Sequence, residues 1–301
     1  MKIVLFGGSG FLGSYLVKRL AESNHEITLV SRRPDLVQKK MNSAVTVKPW
    51  TPVETLPAIL DGSDAVVNLA GESIGSGRWT VGRKQMMLSS RVDTTRTVLE
   101  AIGKTTKKPS VLLNASAVGY YGNVPEGDVT ETHAPGNDFL ADLCVRWEAE
   151  ATKAKEFGVR VVLPRTGIVL ANDGGALQRM LLPFRLFAGG PLGSGRQWFP
   201  WIHIDDEVNA MVFALENSGI VGPVNFTAPE AVTMKQFCSA LGKAMHRPSW
   251  APVPAFILRT ILGEMADALV LGGQKAVPTK LIGCGFEFKY GRLEKALASI
   301  V

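Results

Sequence analysis

Residues 2–13 read KIVLFGGSGFLG, a short β-branched and apolar run that stops at a cluster of glycines, and from Phe11 to Leu20 the apolar positions recur at helical spacing. An apolar run bounded by glycine and followed by a helical pattern reads as strand, tight turn and helix. After the polar Ser23-Asn24-His25 turn, a second apolar run from Glu26 to Val30 completes the strand-helix-strand order of a parallel crossover unit. Ala65–Leu69, Val111–Ala115 and Val159–Leu163 read as further buried strands, and Arg91–Ile102 has a helical pattern. Few hairpin signals interrupt this alternation, which predicts an α/β fold with a doubly wound parallel sheet and helices on both faces.

The glycines of the turn have separate tasks in such a fold. Gly7 permits the tight turn, Gly10 lets a pyrophosphate approach the backbone, and Gly13 lets the helix pack closely. The unpaired amides and positive dipole end of the helix face the same point, so Ser9, Phe11 and Leu12 join the three glycines as candidate binding residues of a Rossmann-type dinucleotide site. The spacing is GxxGxxG. A fold selective for NAD carries Asp or Glu at the end of the second strand, whereas this chain has Val30-Ser31-Arg32-Arg33. Two guanidinium groups suit a 2′-phosphate through charge-assisted, bidentate hydrogen bonds, which makes NADP(H) the expected cofactor and Arg32 and Arg33 its candidate ligands. The plainer alternative is a pair of solvated arginines. Asn68-Leu69-Ala70-Gly71 ends another strand in small residues, so Leu69, Ala70 and Gly71 leave room for adenosine and its ribose. Glu72 follows as either a ligand of a ribose hydroxyl or a surface group.

With 301 residues, 46% of them hydrophobic, the chain can bury a large core, which excludes a disordered protein. The net charge of +6 is spread along the chain without an aromatic-interleaved basic stripe, so nucleic acid is not an expected partner. No apolar stretch is long enough to span a bilayer, and Cys144, Cys238 and Cys284 are too far apart for a zinc site or a disulfide framework. A cytoplasmic protein without a metal is the expectation. Past Thr166 the texture changes: AGGPLGSGRQWFP (188–200) reads as a loop of the kind that shapes ligand pockets. Helices are expected over Asp205–Glu216 and over Thr233–Met245, with Thr233 as N-cap of the second. Pro248–Pro254 then reads as a linker. The expected organisation is a dinucleotide-binding domain at 1–165, a substrate lobe at 166–249 interleaved with it, and a small C-terminal domain at 250–301.

GGSGFLG, NLAGE, RKQMMLSSRVDTT, SAVGYYG, NDFLADLCVRWE, GSGRQWFPWIHIDD and PTKLIGCGFEFKYGRLEKAL together span nearly the whole chain. In this order they resemble one branch of the extended short-chain dehydrogenase/reductase superfamily, epimerase-like proteins with a C-terminal domain of unknown function of the DUF1731 type. The resemblance implies an NADP-dependent oxidoreductase or a sugar-nucleotide-epimerase-like protein, and it implies that Pro164 lies near the nicotinamide. Enzymes of the superfamily use a Tyr followed four positions later by Lys, whose ammonium lowers the phenol's pKa. That pair is missing here: four residues beyond Tyr15, Tyr120, Tyr121 and Tyr290 stand Arg19, Val124, Pro125 and Glu294. Aligning the usual downstream Glu with Glu148 leaves Leu140 for the tyrosine and Cys144 for the lysine.

Ser116 matches the family serine that orients a substrate, unless the register shifts by one and Ala117 stands there. Tyr121, or Tyr120, is a candidate substitute phenol, with aromatic packing as the alternative. The catalytic candidates are therefore Ser116 and Tyr121. Cys144 reads as a small buried thiol, and His203, Asp205 and Asp206 as capping and packing residues. Trp198 and Trp201 form either a substrate wall or a lobe contact. The function expected is an NADP(H)-dependent oxidoreductase acting on an unknown small molecule, the alternatives being an epimerase-like isomerase and a non-catalytic NADP(H)-binding regulatory protein. The C-terminal segment either covers the substrate cleft or mediates a homodimer.

Overall fold

A computed structural model of the protein describes residues 1–41 and 45–301. β1 (Lys2–Phe6) and α1 (Phe11–Glu22) flank the glycine turn, followed by β2 (Glu26–Ser31), α2 (Pro34–Gln38), β3 (Val45–Pro49), α3 (Leu56–Leu60) and β4 (Ala65–Asn68). α4 (Val81–Lys104) begins well before the apolar periodicity at Arg91, because Thr80 caps it by accepting a hydrogen bond from the Arg83 amide. Then come β5 (Val111–Asn114), β6 (Ser116–Ala117), β7 (Val124–Val129), α5 (Phe139–Thr152), β8 (Arg160–Thr166), β9 (Ile168–Leu170) and α6 (Gly175–Arg185). The second half adds β10 (Trp198–Phe199), β11 (Trp201–His203), α7 (Ile204–Glu216), β12 (Gly222–Phe226), β13 (Val232–Thr233) and α8 (Met234–Ala244). α9 (Ala255–Leu262), α10 (Glu264–Ala266), β14 (Gln274–Ala276), α11 (Thr279–Gly283) and α12 (Leu293–Ala298) complete the chain.

The main sheet runs β3-β2-β1-β4-β5-β8-β12, every neighbouring pair parallel, with β6 on the end of β8. Both faces are covered, which is why its strands read as continuous apolar runs. Alternation along β1 divides the core: Ile3 and Leu5 pack with Leu16 and Leu20 of α1 and Met211 and Leu215 of α7, while Val4 and Phe6 pack with Val98 and Ile102 of α4. The strand order reverses at β1, whose partners are β2 and β4, so the ends of β1 and β4 open a crevice at the switch point. β12 was not legible as a strand, because Gly222 and Pro223 break its pattern. Proline is tolerated there because β12 is an edge strand. Arg160 donates to the carbonyls of Ala214, Leu215 and Ile220, closing the end of α7 against the start of β8.

Residues beyond 250 are sewn to what precedes them. β14 pairs in parallel with β7, and Leu293, Ala296 and Leu297 of α12 share a core cluster with Phe237 and Leu241 of α8. The Asp206 carboxylate accepts from the amides of Lys289 and Tyr290. α7 starts one residue earlier than expected, since His203 rather than an aspartate is its N-cap, its Nδ1 accepting from the Asp205 amide. Burial pushes the His203 imidazole down to about 4, so the ring is neutral and suited to that acceptor role. Among the described residues no helix is long and apolar enough to cross a membrane.

Candidate functional site: a crevice and the cleft beside it

At Gly7 the backbone has φ +80°, and a Cβ there would stand 2.7 Å from the carbonyl carbon of Leu69. A Cβ on Gly13 would stand 2.3 Å from the Gly7 carbonyl oxygen, so the third glycine lets α1 close on the loop itself. Gly10 is the N-cap of α1 and offers no side chain to it. The first-turn amides of Phe11, Leu12 and Gly13 therefore point toward the crevice without intrahelical partners, at the positive end of the helix. Ser9 is exposed at the rim. Phe11 serves through its backbone, because its ring is covered by Gly174 and Gly175, where a Cβ on Gly174 would come within 2.5 Å of it.

Arg32 and Arg33 are exposed beyond β2 and take part in no ion pair among the described residues. Leu69, Ala70 and Gly71 continue β4 along the crevice, with the Leu69 amide bonded to the Phe6 carbonyl and the Ala70 amide to Asn68 Oδ1. Asn68 also donates to Thr95 and Asn114, which holds the strand ends at one height. Of the two roles open to Glu72, the geometry favours the structural one, since its carboxylate pairs with Arg83 at 3.1 Å. These residues frame a groove whose open amides, missing side chains and unpaired guanidiniums fit a phosphorylated dinucleotide.

Beside the crevice lies a cleft of about 190 Å³ lined by Ala117, Gly119, Leu140, Cys144, Thr166, Gly167 and Ile168 on one side and by Leu269 and Val270 on the other. Leu140 and Cys144, which alignment on Glu148 sets against the expected tyrosine and lysine, thus both stand in the wall. Burial pushes the Cys144 thiol up to about 12, with Glu148 adding to the shift, so it is no nucleophile at neutral pH.

Three site expectations change here. Ser116 turns away from the cleft and donates to Glu148 Oε1 at 2.6 Å, and the cleft position belongs to Ala117, which has no hydroxyl. Tyr121 is fully buried and donates to Asn225 Oδ1 at 2.6 Å while accepting from Arg165 at 3.0 Å. Burial outweighs the Arg165 charge and pushes this phenol up to about 12, the wrong direction for an acid or base at pH 7. Pro164, expected near the nicotinamide, is buried inside β8 opposite Val224, and the strand runs on to Thr166, so Thr166, Gly167 and Ile168 rather than Pro164 line the cleft.

Arg165 gathers the displaced candidates. Its Nε and Nη2 each reach Glu148 at 2.8 Å, its Nη1 reaches Tyr121, and its guanidinium lies 3.4 Å from the Tyr120 ring centroid. Ser116, Tyr121, Glu148 and Asn225 are thus members of one buried network joining β6, α5, β8 and β12. A second buried carboxyl escaped the sequence reading. Glu207 accepts a hydrogen bond from Thr166 Oγ1 at 2.7 Å, its Oε2 has no partner among the described residues, and burial lifts its pKa to about 8. Its signal in the sequence, one acid beyond the Asp205-Asp206 pair, does not distinguish it from surface charge.

Residues 3–225 match the model of the NAD dependent epimerase/dehydratase family, and residues 253–300 match a domain of unknown function, DUF1731. The epimerase family protein YfhF of Bacillus subtilis is 42% identical over all of this chain and 98% of its own. The chloroplastic SDR39U1 homologue of Arabidopsis thaliana is also 42% identical, over all of this chain and 87% of its own. A crystal structure of human epimerase family protein SDR39U1 with NADPH superimposes with a TM-score of 0.89 at 34% identity, covering 100% of this chain and 99% of that one. UDP-glucuronic acid 4-epimerase from Bacillus cereus is similar in fold, with a TM-score of 0.78 at 19% identity, covering 99% of this chain and 96% of that one. Family model, relatives and solved structures agree over the length of the chain, and the chain belongs to the NAD dependent epimerase/dehydratase family.

Proposed function

We propose that the protein is an NADP(H)-dependent oxidoreductase acting on a small, uncharged carbonyl compound or alcohol. The observation that carries this reading is the composition of the cleft wall. It contains no Lys, Arg or His among the described residues, its two charged members are Asp138 and Asp267, and most of the rest is apolar. A sugar nucleotide brings two negative phosphates, and a site for it would need cations that the described residues of this wall lack, its Asp267 being paired with Arg259 and its Asp138 capping α5. An uncharged substrate meets no such penalty.

NADP(H), when bound, supplies hydride exchange at the nicotinamide C4. The Phe11, Leu12 and Gly13 amides hold its pyrophosphate, and Arg32 and Arg33 hold the 2′-phosphate. Leu140, Ile168 and Leu269 exclude water from the cleft. Thr166 carries the only side-chain hydroxyl among the described residues of the wall, and Glu207 stands behind it. A carboxyl with a pKa of about 8 is protonated at neutral pH; Thr166 donates to it in the structure, so in the proposed step the pair reverses, Glu207 donating to Thr166 Oγ1 as the threonine hydroxyl passes its own proton to a substrate oxygen. The replacement of Tyr and Lys by Leu140 and Cys144 also favours a second reading, a protein that retains NADP(H) without turnover.

Titration with NADPH and NADH, followed by absorbance at the reduced-nicotinamide band across a panel of small aldehydes, ketones and sugar nucleotides, tests these alternatives. The proposal expects NADPH consumption with an uncharged carbonyl, and a joint Arg32→Ala and Arg33→Ala substitution that weakens NADPH at least about tenfold more than NADH. Conversion of a sugar nucleotide with no net absorbance change would overturn it in favour of an epimerase. Tight NADPH binding with no turnover anywhere in the panel would favour the second reading.

A further inference from the structure

Arg91 lies on α4, packed against Gly71 of the crevice and Trp147 of α5, and is 8% exposed. Its guanidinium is held from two sides. A Cβ on Gly71 would stand 3.0 Å from its Cζ and 3.2 Å from its Nε and Nη2, and the Trp147 ring centroid lies 5.2 Å from its Cζ. Nη1 donates to the Met87 carbonyl at 3.1 Å, while Nε, although buried, has no hydrogen-bond partner among the described residues. Among the described residues no acidic group pairs with it, and the crevice carboxylate Glu72 is engaged by Arg83. A buried guanidinium with an unmatched donor is costly, and proteins tolerate it where a ligand completes the set.

The position says which part of a ligand that is. A dinucleotide with its pyrophosphate at Gly10 and its 2′-phosphate at Arg32 and Arg33 would pass the end of β4, where Gly71 stands. Gly71 is exposed and has no side chain, and Arg91 Nη2 lies 3.2 Å from where its Cβ would stand, close to that path. Cys144, where the superfamily places lysine, feels the same charge, which holds its thiol below the value that burial and Glu148 would set.

We infer that Arg91 is the residue that binds the nicotinamide-side ribose of NADP(H), its Nη2, which has no partner among the described residues and is not enclosed, donating to a ribose hydroxyl and holding the reactive ring at the mouth of the cleft. The inference rests on the cofactor reading above, and a guanidinium keeps its charge in a buried setting where an ammonium loses it.

Calorimetric titration of the wild type, Arg91→Met and Arg91→Lys with NADPH and with 2′,5′-ADP separates this role from a structural one, because the fragment lacks the second ribose. Arg91→Met should lose about 10- to 100-fold in NADPH affinity, the worth of one charge-assisted hydrogen bond, while 2′,5′-ADP binds within about twofold of wild type. Arg91→Lys should lose less, again with the fragment spared. Equal losses for both ligands, or no loss for either, would overturn the assignment. If Arg91→Met does not fold, the Lys variant decides by the same criterion. A wild type that binds neither ligand would bring down the cofactor reading and this inference with it, a failure distinct from that of Arg91 alone.

Discussion

Replacing Glu207 with Gln tests the burial argument directly, because the effect must change with pH in a calculable way. The carboxyl is 0% exposed, has one hydrogen bond, from Thr166, and titrates at about 8 in the folded chain against 4.5 for the ordinary group. Between these two values the unfolded chain releases the proton and the folded chain keeps it, so the folded state binds more protons and stability falls as pH rises. The penalty is absent below pH 4.5, reaches about 3 kcal/mol at pH 7, and levels off near 5 kcal/mol above pH 8, taking about 1.4 kcal/mol for each pH unit between the two pKa values. Gln carries no such penalty and retains a carbonyl oxygen to accept from Thr166. Its amide nitrogen takes the place of Oε2, which has no partner among the described residues, so the polar mismatch is similar in the two proteins. Denaturant unfolding of wild type and Glu207→Gln at pH 5, 7 and 8.5 should give curves that nearly coincide at pH 5 and then diverge, with the variant the more stable by several kcal/mol at pH 8.5. A stability difference that is constant across this range would refute the neutral, buried carboxyl, and with it the proton source placed behind Thr166.

Two further outcomes follow from buried groups. Arg165→Met leaves Glu148 buried without its bidentate partner and should destabilise the chain by about 3–5 kcal/mol in chemical denaturation; a loss under 1 kcal/mol would mean the network is not a structural centre. Burial pushes the thiols of Cys144 and Cys238 up to about 12, whereas Cys284 is only partly buried, so a disulfide-exchange reagent at pH 8 should titrate one thiol in the native protein and three after unfolding. Rapid native reaction of Cys144 would contradict the thiol's inert placement in the cleft wall.

The frame of the proposed cofactor crevice was legible because it depends on local chain properties. Gly7, Gly10 and Gly13 shape the backbone within one turn, and Arg32 and Arg33 follow a strand end, so an ordered motif suffices to place them. The substrate half was not legible in the same way. Ser116 and Ala117 are neighbours on a two-residue strand and face opposite ways, so a one-residue ambiguity exchanges a hydroxyl in the cleft for a methyl group. Tyr121 was a reasonable phenol by composition, but its fate is decided by Asn225, 104 residues later, and by Arg165.

The strand-helix alternation and the glycine spacing were determined by the sequence alone, since apolar periodicity and missing side chains act within a few residues of where they occur. Which polar groups became buried, and therefore what they can do, was decided only by the tertiary structure. Arg91, Arg165 and Glu207 look like any other charges along the chain, and their chemistry arises when α4, β8 and α7 close over them. Desolvation belongs to the assembled fold, because the low-dielectric surroundings that shift a pKa or strand a donor are built from segments far apart in sequence.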